Sequence, residues 1–163
     1  MAVLVGVVST MVAAQAQGQA SAASQLDEGR RALVGARLTA TETLQRTGSL
    51  TPEQTSSLDP MIKDALHVWT VCVRSEVDSG SVGNLAPGVV VDTAISACSR
   101  DKEEVAAWVR LAGQAHIVEM PAATLDNFLR QQEARLRASA LEYLASAPGA
   151  LAPSRGVGGA KGR

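Results

Sequence analysis

Apolar residues recur at intervals of three and four along much of this chain, and the clearest run begins at a proline. From Pro60 onward, Met61, Ile62, Ala65, Leu66, Trp69, Cys72 and Val73 share one face of a helix. Val68 and Val71 lie off that face, which predicts cover on more than one side, and Gly80 and Gly83 end the segment. Pro87 opens a further helix with Val91, Ala94, Ile95 and Cys98 inward, a face that resumes at Val105, Trp108 and Ala112 before Gly113. Between them, Arg100 to Glu104 is wholly charged and reads as a solvated overhang or a break. Pro121 starts the last helix, with a stripe of Leu125, Phe128, Leu129, Leu136, Ala140, Tyr143 and Leu144 opposite a polar side, and Pro148 stops it.

The pattern is weaker before Pro60. Leu26, Leu33, Leu38 and Leu44 predict a helix near 26–46, against which Gly29 and Gly35 count. Gly48-Ser49 is a break. Thr51-Pro52-Glu53-Gln54 is a helix start, with Thr51 as cap, Pro52 at the first helical position and Gln54 closing a capping box. Asp59-Pro60 is a second start, which limits the first segment to two short turns. No stretch alternates apolar and polar residues convincingly; Val89-Val90-Val91 is too short and follows a helix-starting proline. The fold class is therefore all-α: a small helical bundle.

The cysteines add a staple. Cys72 lies eight residues before Gly80 and Cys98 eleven after Pro87, about 12 Å and 16 Å from the turn at 1.5 Å per residue. In an antiparallel helical hairpin the two thiols stand at nearly equal height, on the faces of Trp69 and Ile95, and a disulfide is the expected state. With no C-x-x-C, redox catalysis has no support.

The opening of the chain supports that chemistry. An apolar run from Ala2 to Ala14 leads to the small-x-small step Ala14-Gln15-Ala16, the pattern of a secretory signal cleaved between Ala16 and Gln17. The expected organisation is a signal peptide over 1–16, a flexible lead-in over 17–25, a helical domain over 26–147 and a disordered tail over 148–163. The lack of Lys or Arg before Arg30 departs from a usual signal and keeps an uncleaved hydrophobic leader as the alternative. The apolar run is shorter than the roughly 20 residues a spanning helix needs, so no stable membrane span is expected after cleavage. The expected location is the bacterial periplasm or the exterior, where disulfides persist.

Composition narrows the function classes more than it selects one. The 163 residues are 46% hydrophobic but only 2% aromatic, so the core must be built from Ala, Val and Leu. The formal net charge is −1 and no basic stripe is present, which argues against nucleic acid as a partner. His67 and His116 are the only histidines, one turn from Asp64 and Glu119, but H-x-x-x-H and E-x-x-H spacings are missing. There is no G-x-S-x-G, and the glycine-rich end lacks phosphate-loop spacing. Glu103-Glu104 reads as part of a solvated face. No catalytic residue, cofactor or metal site is assigned.

Two resemblances attach to short motifs. Trp69-x-x-Cys72 followed by Ala94-Ile95-x-Ala97-Cys98 resembles small uncharacterised secreted proteins of proteobacteria, which implies a cystine-stapled helical domain without an assigned activity. Leu50-Thr51-Pro52-Glu53-Gln54 is similar to the L-T-x-x-Q motif of periplasmic chaperones and metal-stress proteins of the Spy and CpxP type. Those carry it twice and are rich in Met and basic residues, whereas this chain has one copy, four Met and a neutral balance. The expectation is a non-catalytic exported protein acting by protein interaction or in a structural role, with Val68, Val71 and Val109 as its off-seam face. The alternatives are a chaperone of the L-T-x-x-Q type, and a small metal binder or enzyme using His67 or His116.

Overall fold

The computed structural model describes residues 6–81, 85–116 and 121–146. Five helices follow in order: α1 (Gly6–Thr47), α2 (Pro52–Gly80), α3 (Pro87–Ala97), α4 (Ser99–Ala115) and α5 (Ala122–Ser146). There is no strand among the described residues, and the all-α class is as the sequence predicts. The tail at 148–163 lies outside the described residues, as do the first five positions.

α1 is far longer than its leucines suggest. It runs helically through 17–25, the segment expected as a flexible lead-in, because the stretch is dominated by Ala and Gln, two good helix formers. From residue 23 onward, Leu33 and Ala40 are its buried residues, flanked by half-buried Leu26 and Leu44. Leu38 instead leaves the stripe and is 57% exposed, since five residues from Leu33 place it about 140° round the helix. Gly48 terminates α1 with φ of 74°, a left-handed position that glycine adopts without a Cβ clash, and its N–H donates to the Leu44 carbonyl.

α2 begins as predicted. Thr51 Oγ1 accepts from the Gln54 N–H, Gln54 Oε1 accepts from the Thr51 N–H, and Pro52 takes the first turn. The second start at Pro60 does not materialise, and the helix passes through it. Leu58, 2% exposed, anchors the preceding turns in the core. Pro60 and Ser56, whose carbonyl loses its helical donor, both lie on the exposed side, where solvent meets that loss.

The α2–α3 pair is an antiparallel hairpin. Near the turn, a Cβ on Gly80 would stand 3.2 Å from Val90 Cγ1; at the far end Cys72 meets Cys98, with Cα atoms 6.0 Å apart and sulfurs at bonding distance. Cys98 is also where the chain breaks between α3 and α4, with φ −93° and ψ 20°. The expected break thus falls before the charge run, and Arg100 to Glu104 forms the opening turns of α4.

Trp69 and Trp108 fill the centre, fully buried among Val73, Val77, Val91 and Val105, and α5 closes the bundle with Leu125, Leu129, Ala140 and Leu144. Neither indole Nε1 has a hydrogen-bond partner among the described residues. Arg74 of α2 stacks on the ring of Tyr143 of α5 at 3.8 Å, a cation–π contact across that seam. No helix among the described residues is long and apolar enough to cross a membrane.

Candidate functional site

α1, α2 and the start of α4 converge on one polar node beside the cystine. Its centre is Asp101, 4% exposed and the one buried charged side chain among the described residues. Arg30 reaches it from α1 with both faces of its fork: Nε donates to Oδ1 at 2.8 Å and Nη2 to Oδ2 at 2.6 Å. Nη2 also lies 3.1 Å from Cys72 Sγ, and Nη1 donates to Asp27 Oδ1 at 3.1 Å. A bidentate guanidinium–carboxylate pair of this kind gains direction as well as charge. The hydrogen bonds that Arg30 donates to Asp101 raise its pKa above the ordinary value against the opposing pull of burial, so the cation persists wherever the protein is folded.

A second fork repeats the arrangement further along α1. Arg37 Nε donates to Glu104 Oε1 at 2.7 Å and Nη2 to Oε2 at 3.0 Å, with both side chains largely buried. The charge run of α4, expected as a solvated face, is solvated only in part. Asp101 and Glu104 point inward against α1, Lys102 pairs with Glu133 of α5, and Glu103 is exposed. This site had one legible signal. Asp101, Val105 and Trp108 stand at i, i+4 and i+7, so the apolar stripe that resumes at Val105 extends back onto a carboxylate.

The polar and sulfur groups of the node are paired with one another. Cys72, Cys98 and Asp101 bring donor atoms within 4.8 Å of one another, the one such group among the described residues. Its sulfurs are bonded to each other and its carboxylate is taken by Arg30, so it presents no thiolate to a metal. His67 and His116 are both exposed, one midway along α2 and one capping the end of α4. His67 makes no hydrogen bond to Asp64, and Glu119 lies outside the described residues.

The off-seam face expected from Val68, Val71 and Val109 does not form. Val109 is buried, and Val68 packs against the core under α1, where it stands 3.6 Å from the Cβ position of Gly29. Only Val71 is exposed. The cover predicted for more than one side of α2 is supplied by α1.

The L-T-x-x-Q residues also have a local task. Thr51 and Gln54 cap α2, and Gln54 Nε2 reaches Thr43 Oγ1 at 3.2 Å, tying α2 to the end of α1. No family model, no curated protein and no solved structure matches this chain.

Proposed function

We propose that this chain is an exported, non-catalytic helical protein that acts through its surfaces or as a structural element in the bacterial periplasm or outside the cell. The observation that supports this reading is the buried Cys72–Cys98 pair, 5% and 1% exposed, with the Arg30–Asp101 fork packed against it. A chain kept in a reducing compartment has no use for a covalent staple at the centre of its fold, whereas an exported one with few large apolar side chains gains much from it. The polar groups of the node are spent on one another, which favours a holding role over turnover.

Intact mass of the protein recovered from a fractionated bacterium, with and without reductant, tests the reading. The expected species begins at Gln17 and is lighter by two hydrogens before reduction. A full-length species carrying free thiols overturns it.

A further inference from the structure

Two arginines beside the node are left without an internal role. Arg31 of α1 and Arg100, the second residue of α4, have no ion-pair partner among the described residues. Both line one open groove of about 440 Å³ whose remaining walls are Asp27, Arg30, Val34, Gly35 and Leu38. That volume falls in the range of small-ligand sites, about 300–1,000 Å³. The charges within it do not cancel. Arg30, Arg31 and Arg100 carry three positive charges against the two of Asp27 and Asp101, and Arg37 offsets Glu104 of the adjoining cavity, so the excess is one positive charge, carried by Arg31 and Arg100 because Arg30 is held by both aspartates.

The groove also has a direction. Arg31, Val34 and Leu38 stand at i, i+3 and i+7 on α1, so its cationic and apolar ends lie about 10 Å apart. Leu38 is 57% exposed, and between the ends a Cβ on Gly35 would meet nothing within 4 Å. The apolar end offers two side chains on one helix, too little for an amphipathic helix that docks through several anchors, and enough for one alkyl chain.

We infer that this groove binds a single-chain anionic amphiphile. Its carboxylate or phosphate head sits between the Arg31 and Arg100 guanidinium groups, which match such oxyanions in shape. Its alkyl chain lies over Gly35 against Val34 and Leu38. The inference does not depend on export or on the proposed function.

Titration of the oxidised full chain with decanoate, decyl phosphate and decanol tests it, all below their aggregation concentrations. Decanoate and decyl phosphate should bind with one-to-one stoichiometry and at least about tenfold more tightly than decanol, the scale of one charge-assisted hydrogen bond. The double variant Arg31→Glu/Arg100→Glu should lose that preference, and Gly35→Leu should block all three ligands, with helical content and melting temperature retained in both. Flotation with phosphatidylglycerol vesicles, competed by decanoate, assigns the ligand to a bilayer; decanoate binding without flotation assigns a free amphiphile. Decanoate binding no tighter than decanol, or undiminished in the double variant, overturns the inference.

Discussion

Two seams meet at Asp101, and they are built on different physics. The seam of α2 against α3 and α4 is covalent and apolar, with a buried disulfide and the full burial of Trp69, Trp108, Val91 and Val105. The seam of α1 against α2 and α4 buries Leu33 and Ala40 among the α1 side chains described, and adds two guanidinium–carboxylate forks. An Ala-rich helix has few knobs with which to fix its register. Directional charge pairs do that instead, since sliding α1 by one turn, about 5.4 Å, breaks both forks at once. The first seam supplies stability and the second supplies placement.

The apolar seam is where the largest loss is expected. Trp69 is fully buried, and Trp69→Ala should cost about 4 kcal/mol, read as a lower urea midpoint or melting temperature. A loss under about 1 kcal/mol would show that the centre can collapse around the gap, and the contrast between the seams would weaken. Removing the staple comes next. In the chain-entropy model, a cross-link between residues 26 apart contributes about 3.5 kcal/mol, so Cys72→Ala/Cys98→Ala should destabilise by that order. Reductant should lower the wild type to the level of the double variant and leave the variant unchanged.

What the sequence shows and hides follows the same division. The apolar seam was legible because its signals are local: the three-and-four spacing from Met61 to Val73, the capping box at Thr51 and the matched heights of Cys72 and Cys98. The polar seam was not. Asp101 and Arg30 are separated by 71 positions, and Glu104 and Arg37 by 67, so two carboxylates in a charge run that looks solvated by itself are covered only once α1 lies over them. Pro60 misleads for a related reason, because burial of Leu58 outweighs a local stop signal whose cost falls on the exposed side.

The node itself allows a sharper cut. Asp101→Ala strands the Arg30 guanidinium in a partly buried site and should cost about 2–3 kcal/mol, somewhat less than for a fully buried pair because Arg30 keeps 29% exposure and its contact with Asp27. Replacing both partners, Arg30→Met/Asp101→Leu, should recover most of that loss in urea denaturation while hydrogen exchange across α1 becomes faster, since stability returns without register. Protection of α1 equal to wild type in the double variant would remove the placement role. The pH response has a fixed sign. A raised Arg30 pKa contributes stability at neutral pH and loses it only as pH rises through the folded value, so α1 protection should be unchanged from about pH 7 up to about pH 10.

The smallest effect separates burial from chemistry. Arg137 and Asp92 pair α5 with α3 through the same two residue types as Arg30 and Asp101, but stand 49% and 52% exposed. At the surface the Coulomb gain is screened, and ordering two long side chains offsets much of the remainder. Arg137→Ala should therefore change stability by no more than about 0.5 kcal/mol, and that difference should shrink further in 0.5 M salt, a concentration at which the Debye length is only about 4 Å. If Arg137→Ala instead matched Asp101→Ala, the value of the node would lie in the pairing of the charges, and its position between the seams would contribute nothing of its own.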